Sequence, residues 1–289
     1  MKHLKKHTVF TITLMIVFAY GSFLTADVLT GDSDNFYSKA VKYACVLLCF
    51  FLTLLAGRDG HDERDTLLVR IAFFLTCLAD LALGIMGHFI TGLLIFMYVH
   101  VCHCFRNARG FSWNRREIIS AVVLLAFAGA IMAAIAPVLA GSDFLPYALL
   151  YSAVLAISLW MALGTLWRPF FTGGTARMIA LGMVLFFLCD VCVALFYALG
   201  DGGPVLFRAA LPFPAAALTV HHTPRSIIGI LVWYFYLPSQ LLLALSAFRA
   251  SFLREVFPVI VRVIESDGVS AVQMDSVADD AHVANLRNL

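Results

Sequence analysis

Charge is the scarcest property of this sequence. Lys, Arg, Asp and Glu make up 13% of its 289 residues, against 62% for hydrophobic types. A soluble domain carries about 25% charged residues, so a water-facing globule is excluded. The net charge of +2 is small as well, which leaves no basic field for nucleic acid. A disulfide framework is also missing. Nearly all of the seven cysteines sit inside apolar runs, where they read as small fillers. What remains is length without polarity, with a mean hydropathy of +0.91. The expectation is an all-α integral membrane protein.

Eight apolar runs come near the ~20 residues that cross a bilayer. They are Thr8–Val28, Ala40–Ala56, Leu67–Met86, Phe89–Phe105, Glu117–Leu139, Leu145–Trp167, Arg177–Leu199 and Ser226–Phe248. About eight transmembrane helices in a single domain, residues 1–255, are therefore expected. A partly disordered cytoplasmic tail, 256–289, would follow. The first run comes after a basic Met1–Lys6 segment but is longer than a signal-peptide core. No small-x-small cleavage site stands out before Asp27, so it reads as a retained first helix.

With the N-terminus in the cytoplasm, 16 of the 20 Lys and Arg fall on the cytoplasmic side. Only Lys39, Lys42, Arg208 and Arg225 fall opposite. The positive-inside rule then predicts both termini cytoplasmic, and the basic loops suit a bacterial inner membrane. The connection Asp201–Arg225 holds Pro204, Pro212, Pro214 and Pro224, which rule out a continuous helix. Its apolar content suggests that it lies on the outer membrane surface or caps a cavity.

Within the runs, two residues are expensive. Asp80 lies in IAFFLTCLADLALG and Asp190 in MVLFFLCDVCVALFYALG. A carboxylate near a bilayer centre costs roughly 2.5–3.5 kcal/mol on insertion scales. Each is about 14 residues into a helix entered from the cytoplasm, so at ~1.5 Å per residue both lie at nearly one depth. Their helices are the third and seventh, which run the same way. Phe73–Asp80 and Phe186–Asp190 are weakly alike, as a 4+4 parallel repeat would give, and such a repeat would face the carboxyls across a cavity. The competing reading is two polar residues satisfied by neighbouring helices.

Other polar residues in the runs carry weaker signals. Lys42 can snorkel to headgroups or take a phosphate deeper in. His100 lies in the fourth helix and Gln240 in the eighth, with Tyr236 one turn before it on the same face. Alone, each is more often helix–helix glue than catalyst. His100, His103 and Cys104 share a face and form a weak metal half-site. Cys189 and Cys192 form a C-x-x-C, but within an apolar helix.

Four segments resemble the YhhN-like lysoplasmalogenase family of eight-span membrane enzymes. They are Phe74–Gly84, Thr91–His100 with its G-L-x-x-F-x-x-x-H pattern, Gly182–Leu195 around Asp190, and Tyr236–Ser246 with its Tyr…Gln…ALS ending. Lys42 falls where the family has a lysine opening its second helix. The resemblance spans about residues 10–250. Cys189 stands where Ser is usual, His103 where Tyr is expected, and Pro238-Ser239 replaces Leu-Ala; these departures bear on substrate preference.

The resemblance implies hydrolysis of the vinyl ether of lysoplasmalogens to a fatty aldehyde and a glycerophospho-alcohol, with no cofactor. The partners implied are a lysophospholipid substrate and membrane lipids. That reaction needs a protonated acid for the β-carbon and an anion for the resulting cation. Two carboxyls in a low-dielectric cavity meet that need by holding one proton between them. Asp80 and Asp190 would be catalytic. His100, Tyr236 and Gln240 would orient the water or the carboxyls, and Lys42 would meet the phosphate. Three alternatives stay open: a metal-dependent lipid hydrolase of alkaline-ceramidase-like type, a cation- or proton-coupled transporter, and a bundle without chemistry.

Overall fold

The computed structural model describes residues 2–33, 35–139, 145–198 and 224–258. The helices are α1 (Lys2–Thr30), α2 (Phe36–Ala56), α3 (Glu63–Asp80), α4 (Phe89–Asn107), α5 (Arg115–Leu139), α6 (Leu145–Gly164), α7 (Gly173–Ala198), α8 (Pro224–Leu245) and a short α9 (Ala250–Val256). The first eight are long and apolar enough to cross a membrane, as the sequence led one to expect. The Pro-rich connection, apart from Pro224 and Arg225 at the start of α8, lies outside the described residues, and so does the tail from 259.

The last span ends at Leu245 rather than Phe248. The chain turns there because Arg249 donates its N–H to the Asp59 carbonyl at 2.8 Å. α9 then packs on α1, with Phe252 stacked on Phe248 at 5.1 Å. Lys5 and Lys6 tie the start of α1 to Asp59 and Glu255. This end of the bundle carries the basic turns and is called the basic end below.

Neighbouring helices follow a pattern. α1 packs on α2, α2 on α3 and α3 on α4; α5 packs on α6, α6 on α7 and α7 on α8. α2 meets α8, and α6 meets α4. Each of these pairs in the first half has its counterpart four helices on. α5 is the least enclosed span, with 6% of its apolar window buried, so most of its side chains face lipid.

Among the described residues, three buried ion pairs hold the bundle. Arg106 donates from Nε to Asp65 at 2.8 Å, and its other two nitrogens go to the Ser246 hydroxyl and carbonyl, joining α4, α3 and the end of α8. Arg168 holds both Glu117 oxygens at 2.7 Å and the Asn107 carbonyl at 2.7 Å, joining the ends of α6, α5 and α4. At the opposite end, Lys42 pairs with Asp27 at 2.7 Å. A two-pronged guanidinium suits such sites, because a buried carboxylate needs both its charge and its lone pairs answered.

Two local departures from α geometry shape the middle of the bundle. Pro238 has no N–H, so the Tyr234 carbonyl one turn earlier loses its helical donor. The Tyr20 hydroxyl donates to that carbonyl at 3.1 Å. Directly after Asp80, Leu81–Ile85 winds as a π turn, and Gly87 at φ +71° reverses the chain into α4. Gly92 lets α4 close onto this turn. A Cβ there would stand 2.4 Å from the Leu83 side chain and 3.1 Å from the Ala79 carbonyl. Wide turns of this kind are frequent at functional sites.

Candidate active site

Asp80 and Asp190 line one cavity of about 240 Å³. Their helices present them alike. Over Ile71–Asp80 and Leu181–Asp190, burial falls in the same class at nine of ten positions, ending on a half-buried aspartate in each. Each carboxyl accepts one phenol hydrogen bond. Tyr236 on α8 donates to Asp80 Oδ2 at 2.6 Å, and Tyr151 on α6 donates to Asp190 Oδ2 at 2.9 Å. His100 Nε2 lies 3.2 Å from the Tyr151 hydroxyl and 3.7 Å from Asp190 Oδ2. Among the described residues, neither aspartate pairs with a lysine or arginine.

The cavity is floored by an aromatic trio. Phe96, Phe186 and Tyr236 meet edge to face, with centroids 5.7–6.2 Å apart. This arrangement packs rings against each other while leaving the Tyr236 hydroxyl free to reach Asp80. Ser33, Lys39 and Tyr43 line the wall toward the opposite end of the bundle. A second, almost wholly apolar cavity of about 90 Å³ runs between α4, α5, α6 and α7. It shares Tyr151 and Asp190 with the first, so the two meet at one carboxyl.

The remaining sequence candidates fall in other places. Lys42 is 1% exposed, so it does not snorkel. Its ammonium touches Asp27, donates to the Ser33 carbonyl at 2.7 Å and lies over the rings of Trp233 and Phe23 at 4.9 and 5.4 Å. Ser38 donates to the other Asp27 oxygen at 2.7 Å. Lys42 thus braces Ser33 and Trp233, which do line the cavity; the lysine on the cavity wall is Lys39, one turn earlier. Gln240 is buried one turn below Tyr236 and lies off the cavity wall. His103 is buried, and Cys104 is half-buried. The half-site idea at His100, His103 and Cys104 gains no further ligand: among the described residues no three of His, Cys, Asp and Glu form a metal-holding group.

Tyr151 was not singled out from sequence. A signal existed, since it lies within a span and tyrosines prefer the membrane interface. A buried phenol needs a partner, and this one holds Asp190.

The fold and the cavity define a class: a multi-pass helical membrane protein that keeps two carboxyls, neither paired with a lysine or arginine among the described residues, on one cavity. Within that class the chain belongs to the YhhN family, whose model matches residues 37–247, from α2 to just past α8. The family read from the motifs around Asp80, His100, Asp190 and Gln240 is therefore borne out. No curated protein and no solved structure matches the chain. α1 lies outside the matched residues, yet it supplies Asp27 to Lys42 and Tyr20 to Tyr234.

Proposed function

We propose that the protein hydrolyses the vinyl ether of lysoplasmalogens, releasing a fatty aldehyde and a glycerophospho-alcohol. The observation that carries this reading is the pair of carboxyls in one cavity, each held by a phenol and neither paired with a lysine or arginine among the described residues. In water-poor surroundings such a pair favours holding one proton between its members. Vinyl-ether hydrolysis uses that state. The protonated carboxyl gives its proton to the β-carbon, and the α-carbon becomes an oxocarbenium ion. Water adds to the α-carbon while the carboxylate takes its proton. The hemiacetal then collapses to aldehyde and alcohol, and one water is consumed.

The surroundings support an assignment of roles. Tyr151 is itself held by His100, so Asp190 faces a donor that cannot turn away, which favours Asp190 as the anion. Tyr236 has one carboxyl partner, and Asp80 serves as the acid. The apolar cavity between α4, α5, α6 and α7 would take the hydrocarbon chain. Lys39 and Ser33 would meet the phosphate at the mouth. With the basic end toward the cytoplasm, as the positive-inside rule prefers, the headgroup would lie toward the other face of a bacterial inner membrane.

The test is aldehyde release from lysoplasmalogen by the purified protein, across headgroups and pH. Release by the native chain and its loss in Asp80→Asn and Asp190→Asn support the reading. No release from any headgroup overturns it.

A further inference from the structure

Beneath the aromatic floor lies a second group of buried polar side chains that do not touch the cavity. Phe96 meets Tyr236, and Arg106 donates to the Ser246 hydroxyl at 2.8 Å. Both contacts join α4 to α8 or its end, at a separation of 140 residues. The two helices run the same way, so residues at that spacing lie level. His100 is therefore level with Gln240, each one turn past the Phe96–Tyr236 contact and on the same facing sides.

The hydrogen-bond inventory makes His100 and Gln240 complementary. The Tyr151 hydroxyl proton is committed to Asp190. The contact between Tyr151 and His100 must then be donated by the imidazole, from Nε2–H. In a neutral ring this leaves Nδ1 as a bare acceptor. Among the described residues, His100 Nδ1 is buried and has no protein partner. Gln240 Nε2, a donor, is buried and has none among them either. His103 Nδ1, one turn further along the same face of α4, is another such atom. Buried polar atoms are nearly always satisfied, by protein or by internal water. An internal water typically bonds about three polar groups.

We infer that a buried water site lies between His100, His103 and Gln240, and that Gln240 acts through this water to fix His100 as its Nε2–H tautomer. Gln240 is then a positioning residue. It holds the imidazole that holds Tyr151 on Asp190, from behind the floor and without meeting substrate. The catalytic consequence rests on the hydrolase reading above; the tautomer does not.

The experiment uses the full chain in lipid nanodiscs with ¹⁵N-labelled histidine, His100 being assigned by difference against His100→Asn. Native protein should show a protonated Nε2 and an unprotonated, hydrogen-bonded Nδ1 that exchanges magnetisation with water. Gln240→Leu should shift the Nδ1 signal or mix the tautomers, and Gln240→Asn should restore part of the native signal. In the aldehyde assay, Gln240→Leu should lower kcat roughly tenfold, the worth of about one hydrogen bond, with KM unchanged. A native His100 protonated on Nδ1, or an Nδ1 signal untouched by Gln240→Leu, overturns the proposal. If that variant does not fold, the native tautomer and its contact with water decide the matter alone. If the chain releases no aldehyde, the spectra still decide it.

Discussion

The two ends of this bundle treat buried carboxyls in opposite ways. At the basic end, Asp65 and Glu117 each receive an arginine, and each arginine spends its remaining nitrogens on backbone or hydroxyl oxygens. In the middle, Asp80 and Asp190 receive one phenol each and face an open cavity. The residue types are the same, but the partners differ. A carboxylate locked to a guanidinium keeps its charge and cannot trade protons. A carboxyl held only by phenols can change its protonation without leaving a cation stranded. The first arrangement fixes helices to one another, and the second leaves chemistry available.

The sharpest way to break this contrast is to neutralise the central pair. Asp80→Asn and Asp190→Asn keep shape but remove the exchangeable proton. Each should cut aldehyde release by roughly 10²–10⁴-fold, the span of a lost general acid or base. Neither should lower the melting temperature in detergent, because no ion pair is lost. A variant that unfolds would place its aspartate with Asp65 and Glu117 instead.

The converse change belongs at the basic end. Arg106→Leu strands Asp65 in a dry site and should cost about 3–5 kcal/mol of stability, as broken buried pairs do. The double variant Asp65→Leu/Arg106→Leu removes both charges and should recover much of that loss. Unfolding of single and double variants by denaturant in micelles checks the cycle. Additive losses would show that the pair is not coupled as drawn.

How much of this could be seen beforehand follows from what each term depends on. The eight spans were legible because crossing a bilayer demands some twenty apolar residues, a constraint written along the chain. Asp80 and Asp190 were legible because a mid-span acid is rare and costly. Their burial match was only dimly so, since the aligned letters that agree in exposure are mostly different apolar types. Asp27, Asp65 and Glu117 escaped notice because they lie near span ends, where sequence cannot distinguish a solvated acid from a paired one. For Lys42 the sequence leaves headgroup and phosphate both open, because its partner lies in α1, a contact that no spacing along α2 announces. The π turn after Asp80 has no sequence signature beyond Gly84 and Gly87. Tyr151 meets Asp190 only through the approach of α6 to α7, which no spacing along α6 announces.

A finer test separates the two phenols. Tyr151→Phe removes the link between His100 and Asp190, whereas Tyr236→Phe removes a single bond to Asp80. Each deletes about 1 kcal/mol of net hydrogen bonding or somewhat more to a charged partner. Losses of roughly tenfold in kcat are expected, larger for Tyr151→Phe if Asp190 is the anion. Equal losses, or a larger loss at Tyr236, would reverse the assignment of acid and anion. Stability should change little in either variant, as each ring stays in place.

The smallest effect expected is in the response of the basic end to acid. Two groups outside the spans sit in the turn that opens α3. Burial, reinforced by Arg106 and Arg249, pushes the His61 imidazole below its ordinary 6.5, against the opposing pull of Asp65. The folded state therefore resists charging His61, whereas the unfolded chain charges freely. The folded state suffers no penalty well above pH 6.5 and loses stability as pH falls through that value. Asp62 caps α3 by accepting the Asp65 N–H at 2.6 Å and pairs with Arg109 at 2.5 Å. Burial works against its charge, but these two bonds outweigh it and hold its carboxyl below the ordinary 3.8. Its contribution is whole above pH 3.8 and is lost as pH falls through the lower folded value. Acid should thus loosen the basic end in two stages. His61→Gln should flatten the first stage and leave the second, while Asp62→Asn, which can still cap, should flatten the second alone. Melting temperature followed from pH 8 to pH 3 in each variant makes the comparison. A single unresolved stage, unchanged by His61→Gln, would mean that the turn before α3 does not govern acid sensitivity.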